Sequence, residues 1–398
     1  MDFLNKAVEL FEFTRTIRRD LHRNPELGFR EFRTAAVVAK ELESLGMEVR
    51  TGVAQTGVVG LLEGGMPGPV ALLRFDMDAL PIQEENRSEY ASRVPGVMHA
   101  CGHDGHTAVG LTVARLLHSF KSELPGQVKF VFQPAEEGLG GASAMISEGV
   151  LEAPQPDFAL GLHLWNERPL GWLGVCDGAT MAAADVFHVK IIGKGGHAAV
   201  PNLTVDPIQA ATQMIVSFQT IVSRNVSPID AAVVSVTKLR AGEAFNVIPE
   251  TAEFEGTIRT LEPEVRQQVL ARFEKIIQGV ADAFDCKASV NVHSISPAVI
   301  NHPDVVPVVQ QVAQDLFPDD PLDQNIVAMV SEDMAFFLEK VPGCYFFVGS
   351  ANPAQGLDAS HHHPRFDFDE QALPRAVAWM AKAAYQLLKC YQLSEKAT

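Results

Sequence analysis

The chain has 398 residues, of which 47% are hydrophobic and 20% charged, and its formal net charge is −17. This length favours two domains, and the composition excludes a disordered protein. The acidic balance disfavours a nucleic-acid partner, which would need a basic face. The sequence has no signal-peptide pattern, no apolar run of roughly 18 residues, and an odd number of scattered cysteines, so we expect a cytoplasmic protein without membrane contact.

The first half of the chain alternates helical and strand patterns. Apolar residues at helical spacing predict two helices before the sheet, over 7–20 and 32–45. Apolar runs typical of strands buried on both faces begin at Gly57, Val70, Val128 and Phe158. Helical segments over 106–120 and 142–148 lie between some of these strands. This α/β alternation predicts a largely parallel or mixed sheet.

The segment 97–109 reads Val-Met-His-Ala-Cys-Gly-His-Asp-Gly-His-Thr-Ala-Val and opens a helical pattern. Cys101 offers a thiolate, His103 an imidazole, and Asp104 a carboxylate able to fix the tautomer of a histidine, which together suit zinc or a similar divalent ion. An isolated Cys or His is usually a packed core residue. Here several ligand types share one glycine-punctuated loop, so the segment predicts a metal site with further ligands from elsewhere in the chain.

Two carboxylate pairs follow predicted strands. A hydrolytic metal centre needs one carboxylate to hold the ion and another to take a proton from water, and Glu136 and Glu137 could divide these roles. Alone, such a pair would usually be solvated. Asp76 and Asp78 share a face of a continuing strand, so they could orient a ligating histidine or bind metal directly, and we favour the first role.

Further imidazoles lie elsewhere in the chain. His163 comes just past a predicted strand, and His361, His362 and His363 form a run near the C-terminus. One histidine of the run could complete the ligand set, although such a run can also be a fortuitous surface feature.

From about Asp185 the pattern changes to strands with alternating polar and apolar residues, typical of a sheet with one wet face. Helical segments over 206–223 and 262–285 separate these strands in the order β-α-β-β-α-β, which predicts a ferredoxin-like sandwich. The α/β alternation then returns, with helical segments over 305–317, 332–338 and 372–393 and a strand over 344–349. We therefore predict a discontinuous first domain, 1–182 and 296–398, with an inserted domain over 183–295.

Taken together, these residues resemble the metal-dependent aminoacylase/carboxypeptidase family, in particular its amidohydrolase branch of hippurate hydrolases, N-acyl-amino-acid amidohydrolases and auxin-conjugate hydrolases. The resemblance covers nearly the whole chain. It is carried by the segments Asp76–Pro81, Met98–Thr107, Gln133–Gly138, Gly161–His163, Gly195–Pro201, Asn246–Pro249, Gly256–Thr260, Ser331–Asp333 and His362–Pro364. The resemblance implies a mixed-sheet α/β catalytic domain of zinc-exopeptidase type with an inserted α+β ferredoxin-like lid and dimerisation domain.

The resemblance also implies a site with two divalent ions, which could be Mn, Zn, Co or Ni. It makes Cys101 the bridge between them and assigns the remaining protein ligands to His103, Glu137, His163 and His362. His362 fits the family pattern of a histidine, one residue and then proline, and His361 is the alternative in a shifted register. Glu136 becomes the proton shuttle, and Asp78 joins the catalytic set as a carboxylate that orients a ligating histidine.

Substrate contacts are implied for residues of the inserted domain. The resemblance places His197 beside the scissile carbonyl, where an imidazole can stabilise negative charge on oxygen. Asn246 and Arg259 would recognise the substrate, with the guanidinium holding a free carboxylate through two hydrogen bonds. The chain departs from the family at Asn202, where members often carry a histidine.

The sequence therefore predicts a binuclear-metal amidohydrolase that cleaves N-acyl amino acids, small-molecule substrates, and forms a homodimer or possibly a tetramer through an exposed sheet edge. A metal-dependent dipeptidase or carboxypeptidase is the alternative. Two other hypotheses make Cys101 a nucleophile activated by His103 or His106, or make the chain a non-catalytic metal-binding or sensing protein, which would leave Glu136 without a role. A nucleobase deaminase is disfavoured because its Pro-Cys-x-x-Cys signature is absent.

Overall fold

The computed structural model describes residues 1–395, and the chain divides into two compact units. Unit 1 comprises Met1–Thr180, Ile300–Val327 and the described residues from Asp333 onward. Unit 2 comprises Met181–Val299 and Ala328–Glu332. Within residues 1–395, no helix has the length and apolar character required to span a membrane.

Unit 1 is built on a large mixed sheet. In spatial order its strands are Glu48–Val53, Gly57–Glu63, Pro125–Gln133, Met66–Asp76, Phe158–Pro169, Gly343–Ala351, Leu173–Gly174 and Leu322–Asp323. The strand Met66–Asp76 pairs in parallel with both of its neighbours, and its residues from Pro69 onward are buried. Parallel strands covered on both faces read as continuous apolar runs, which is why the sequence predicted this mixed sheet correctly.

Helices cover the sheet of unit 1. They are Phe3–Glu9, Phe11–Arg23, Phe32–Ser44, His103–Ser119, Gly141–Ser147, Val306–Leu316, Ala335–Leu338 and Ala372–Glu395. The helix predicted over 7–20 is wrong in its bounds, because the chain breaks at Leu10 and three helices, not two, precede the sheet. The segment predicted as helical over 332–338 becomes an α-helix only at Ala335. The indole of Trp379 on the last helix is fully buried and donates a hydrogen bond to the Val309 carbonyl.

Unit 2 contains an antiparallel sheet whose strands lie in the order Ala232–Ala241, Thr251–Thr260, Ala183–Ile192 and Lys287–Ser296. The helices Pro207–Thr220 and Pro263–Ala283 complete the predicted order β-α-β-β-α-β along the chain. The ring of Phe273 lies 4.6 Å from that of Phe187 and 4.4 Å from that of Phe218, in the core between the sheet and the helices.

Short strands complete the architecture. Gly196–His197 pairs with Val247–Ile248 inside unit 2. Gly178–Met181 and Val299–Asn301 each contain a boundary between the units. The role of unit 2 as a lid or dimerisation domain stays a prediction.

Candidate metal centre

The segment 97–109, in which the sequence predicts a metal site, begins as a loop that we call the metal loop and turns into a helix at Gly102. Gly102 has a φ of 91°, in the left-handed region that favours glycine, and the helix begins at the next residue, His103. The predicted start at residue 106 is therefore three residues late. This sharp turn brings Cys101, which is 9% exposed, next to the buried His103.

Two histidines of the predicted ligand set are anchored through one ring nitrogen. His103 Nδ1 donates to the Asp78 carbonyl at 2.9 Å, and His163 Nδ1 donates to the Leu164 carbonyl at 2.8 Å. His163 Nε2 then lies 3.5 Å from Cys101 Sγ, and one ligand atom from each of Cys101, His103 and His163 lies within 4.8 Å of the others. A metal-binding histidine typically donates its second N–H to a carbonyl, which fixes its tautomer and orientation.

Glu137 and His362 form a second group with Cys101. His362 Nε2 lies 3.2 Å from Glu137 Oε1, and ligand atoms of Cys101, Glu137 and His362 lie within 4.8 Å of one another. Hydrogen bonds to Cys101 and Glu137 raise the pKa of His362 to about 10. Cys101 thus belongs to both groups, as a bridging ligand would.

The backbone supports this arrangement. His362 has a φ of 65°, a conformation that costs energy in a non-glycine residue and is enriched at functional sites. Its amide donates to the Ala100 carbonyl at 2.8 Å, next to Cys101. His361 instead donates from Nε2 to the Leu164 carbonyl at 3.0 Å. The geometry therefore brings His362 rather than His361 into the cluster.

Glu136 reaches the same group of ligands. Carboxylate oxygens of Glu136 and Glu137 and a ring nitrogen of His103 lie within 4.8 Å of one another. Glu136 follows Ala135, which has a φ of 55° and whose amide donates to the buried carboxylate of Glu31 at 2.9 Å. This anchored turn places Glu136 and Glu137 side by side at the ligand cluster.

Buried polar atoms without hydrogen bonds test whether the site fits a metal. His103 Nε2 is buried and has no hydrogen-bond partner, and such an atom costs about 1–3 kcal/mol. Asp78 Oδ2 accepts from the Glu137 amide at 3.1 Å, so Asp78 lies between the metal loop and the glutamates. A divalent cation would satisfy the orphaned nitrogen, and the sulfur, imidazole and carboxylate donors suit a transition metal. The residues present fit the predicted ions.

The carboxylate of Asp76 lies beside His103 and His106. Its Oδ1 accepts from His106 Nδ1 at 2.6 Å and lies 3.9 Å from His103 Nε2. Burial alone would raise the pKa of Asp76, but His103, His106 and Arg74 outweigh it and hold that pKa well below its usual range. His106 Nε2 accepts from the Leu164 amide at 2.9 Å, so both of its ring nitrogens are engaged.

The predicted substrate residues lie in unit 2. His197 is exposed, and its strand pairs with Val247, next to Asn246, whose carbonyl accepts from the Ala198 amide at 3.1 Å. Arg259 lies on the strand Thr251–Thr260, and its Nη1 is buried without a hydrogen-bond partner. Burial lowers the pKa of Arg259, with Asp185 acting in the opposite direction. The structure therefore gathers His197 and Asn246 in one loop region and places Arg259 on the sheet.

Comparison with known proteins identifies the family. The model of peptidase family M20/M25/M40 matches residues 72–386, which is most of the chain. The chain belongs to this family. The predicted resemblance is thereby confirmed.

Members of the M20/M25/M40 family similar to this chain include amide hydrolases. A hippurate hydrolase from Campylobacter jejuni is 39% identical over 393 residues, covering 98% of this chain and 100% of that protein. An IAA-amino acid hydrolase (ILR1-like 2) from Arabidopsis thaliana is 40% identical over 388 residues, covering 96% and 87%. The crystal structure of Bacillus subtilis YxeP, a dinuclear metal binding peptidase, has a TM-score of 0.84 and 35% identity, covering 96% and 99%. These relatives confirm the predicted class, a hydrolase of the M20 amidohydrolase type.

Several buried polar residues close to the predicted ligands were given no role by the sequence. Arg74 and Gln133 received no role, Asp333 was noted only as part of a motif, and His106 was considered only as an activator of Cys101. A charged side chain inside the otherwise apolar strand 70–75 was the one signal available for Arg74.

Proposed function

We propose that this enzyme uses two divalent metal ions to hydrolyse the amide bond of N-acyl amino acids, releasing a carboxylic acid and a free amino acid. The observation that carries the proposal is that Cys101 belongs to two ligand groups at once, one with His103 and His163 and the other with Glu137 and His362. The relatives named hippurate hydrolase and IAA-amino acid hydrolase support the substrate class, and the dinuclear relative supports two ions.

Cys101, His103, His163, Glu137 and His362 would hold the two ions. When bound, the ions would polarise the amide carbonyl and lower the pKa of water towards neutrality. Mn, Zn, Co and Ni all suit this mixture of soft and hard donors, and metal availability helps to decide which one is bound. Because Nδ1 of His103 and Nδ1 of His163 donate to the carbonyls of Asp78 and Leu164, each Nε2 offers its lone pair to an ion.

Glu136 is the proposed proton carrier. Its carboxylate lies among the ligand atoms, and the Asp333 amide donates to its Oε1 at 3.3 Å. A carboxylate placed in this way can accept a proton from the attacking water and then deliver it to the leaving nitrogen. We therefore assign proton transfer to Glu136 and metal binding to Glu137.

Residues of unit 2 supply the proposed substrate contacts. Arg259 carries a buried Nη1 without a partner, and a substrate carboxylate would satisfy it through charge-assisted hydrogen bonds. The exposed His197 would stabilise negative charge on the carbonyl oxygen, and Asn246, in the same loop region, would bind a polar substrate group. The amino-acid half of the substrate is thus defined by its free carboxylate.

A substrate panel tests the proposal. N-acetyl, N-benzoyl and indole-acetyl amino acids, together with dipeptides, are incubated with enzyme loaded with Mn, Zn, Co or Ni, and free amino acid is measured. We expect release from at least one acylated amino acid and loss of that release after chelation. Activity on dipeptides alone would instead indicate a dipeptidase or carboxypeptidase. Chelator-insensitive activity that is lost on thiol alkylation would contradict the metal mechanism.

We also propose a cytoplasmic homodimer, with a tetramer as the alternative. Within residues 1–395, no cysteine forms a disulfide, in keeping with a reducing compartment. The edge strand Ala232–Ala241 of unit 2 is mostly exposed and could pair with a second copy. Sedimentation velocity would give the oligomeric state.

A further inference from the structure

One buried arginine connects the two functional halves of the proposed site. Arg74 is 1% exposed and lies near the end of the strand Met66–Asp76. Its Nε donates to Gln133 Oε1 at 2.8 Å, its Nη1 to Asp76 Oδ2 at 2.6 Å, and its Nη2 to Asp333 Oδ1 at 2.8 Å. All three acceptor side chains are buried as well. A buried guanidinium requires such partners, because an unpaired buried charge is strongly destabilising.

The first branch from Arg74 leads to a histidine of the ligand set. Asp76 Oδ2 accepts a hydrogen bond from Arg74 Nη1, and Asp76 Oδ1 accepts one from His106 Nδ1. His106 Nε2 accepts from the Leu164 amide at 2.9 Å. The Leu164 carbonyl in turn accepts from His163 Nδ1, which leaves His163 Nε2 directed at Cys101. The branch therefore runs through hydrogen bonds from Arg74 to the Leu164 amide, crosses the backbone of Leu164, and continues from its carbonyl to His163.

The second branch leads to the proton carrier. Asp333 Oδ1 accepts from Arg74 and from Gln133, and its Oδ2 accepts from Gln133 and from the Ala142 amide at 3.0 Å. With its side chain held in this way, the Asp333 backbone amide donates to Glu136 Oε1. Gln133 precedes and Ala142 follows the segment that carries Glu136, so Asp333 fixes both ends of that segment.

We propose that Arg74 is a positioning residue that holds His163 and Glu136 at a fixed distance from each other, through Asp76 and Asp333. The proposal rests on the proposed function of Glu136 and His163. Arg74 acts on them through its two carboxylate partners, Asp76 and Asp333. It sets the distance between a metal-binding imidazole and a proton-transferring carboxylate, and catalytic geometry is sensitive to such distances.

The planar guanidinium explains why an arginine occupies this position. It presents donors in a rigid fork that reaches three acceptors in different directions, whereas the ammonium of lysine is compact and sits on a flexible stem. Arg74→Lys therefore keeps the charge and removes the geometry. Asp333→Asn disturbs the Glu136 branch directly, because an amide nitrogen in place of Oδ2 would face the N–H groups of Gln133 and Ala142. Asp76→Asn disturbs the histidine branch directly.

The test measures kcat and metal affinity separately. Metal affinity is determined by competition with a chelator, without substrate, and kcat is measured on the best substrate of the panel at saturating metal. We expect Arg74→Lys to lower both quantities by about 10–100-fold, the range found when a partner of a metal ligand is lost. We expect Asp333→Asn to lower kcat in the same range and to leave metal affinity unchanged, and Asp76→Asn to lower metal affinity.

A double variant tests whether Arg74 acts through Asp333. Because both substitutions disturb the same Glu136 branch, the kcat of Arg74→Lys/Asp333→Asn should equal that of Arg74→Lys within about twofold. Arg375→Lys is the matched control, since Arg375 is a partly buried arginine of unit 1 that pairs with Asp320 outside this network. It should leave kcat and metal affinity unchanged.

Two results would overturn the proposal: wild-type kcat and metal affinity in Arg74→Lys, or kcat losses that multiply in the double variant. If Arg74→Lys does not fold, the contrast between Asp76→Asn and Asp333→Asn tests the same branches, and identical effects on metal affinity would overturn it. If the wild type releases no amino acid, the proposed function fails, whereas the chelator competition still decides whether Arg74 supports the metal ligands.

Discussion

Unit 1 and unit 2 hold their functional side chains in different ways. In unit 1, His103 and His163 are buried, and each has one ring nitrogen fixed by a backbone carbonyl. In unit 2, His197 and Asn246 are exposed, and Arg259 keeps a buried nitrogen without a partner. Pre-organised donors suit metal binding, which tolerates little misplacement. For the unit 2 residues we propose substrate binding, in which a ligand carboxylate would pair with the Arg259 Nη1.

A second buried arginine shows how far this pre-organisation extends in unit 1. Arg18 donates to Asp104 at 2.8 Å and to Asp367 at 2.6 Å and lies over the ring of Phe368. Asp104, next to His103 in the helix, also accepts from His22 Nδ1 at 2.8 Å. The metal loop is thus supported by one guanidinium network at Asp104 and another at Asp76.

The largest expected effect tests whether Glu136 transfers protons without binding metal. Glu136→Gln removes the proton acceptor but keeps the shape of the side chain, so kcat should fall by about 10²–10⁴-fold. The metal content, measured by mass spectrometry, should match that of the wild type. A variant that keeps full activity would refute the assignment of Glu136.

The next effect concerns unit 2. His197→Ala removes the proposed donor to the carbonyl oxygen, and loss of one such donor lowers kcat by about 10²–10³-fold. Chelator competition should show unchanged metal affinity, because His197 is not among the proposed ligands. Weakened metal binding in this variant would contradict the contrast between the units.

A smaller effect is expected at Arg259. Arg259→Lys keeps the charge but loses the two-pronged contact with a carboxylate, so KM should rise by about 10–100-fold with kcat largely retained. An N-acyl amino acid amide, which lacks the carboxylate, should show the same KM with both enzymes. Equal KM values for the acid would exclude Arg259 from carboxylate binding.

The smallest expected effect is a pH-dependent loss of stability in unit 1. Burial would lower the pKa of His22, but Asp104 and Glu84 outweigh it and raise that pKa to about 9, from an ordinary value of 6.5. A raised pKa means that protonated His22 stabilises unit 1 fully below pH 6.5 and that this stability is lost as the pH rises through about 9. The free energy of unfolding should fall by up to about 3 kcal/mol over this interval.

Urea unfolding at a series of pH values measures this loss. His22→Gln should flatten the dependence, because the titrating ring is gone. His188→Gln is the control, since His188 is a partly exposed histidine of unit 2 that lies 3.7 Å from Glu253, and it should keep the wild-type slope. The same slope in His22→Gln and the wild type would show that another group is responsible.

The sequence predicted the sheet of unit 1 and the element order of unit 2 because apolar runs and alternation report burial directly. It also predicted the group Cys101, His103, Glu137, His163 and His362, which the fold brings together from distant segments. The helix boundary at His103 was missed because one glycine conformation, at Gly102, sets it. Sequence periodicity does not register such a local turn.

The supporting network could not be predicted from the sequence for a different reason. Arg74 and Asp333 are separated by 259 positions and meet only because the fold brings the two segments together. No local pattern marks such a pair, and a buried arginine resembles any other until its acceptors are seen. The sequence favoured His362 over His361 from its spacing to Pro364, and in the structure His361 Nε2 donates to the Leu164 carbonyl instead.

The most direct test of the account is an anomalous diffraction experiment on crystals of the manganese-loaded enzyme. We expect two anomalous peaks in unit 1, both next to Cys101 Sγ, with His103, His163, Glu137 and His362 as the surrounding protein ligands. A map without peaks in this cluster, or with a single ion that Cys101 does not contact, would contradict the proposed binuclear centre.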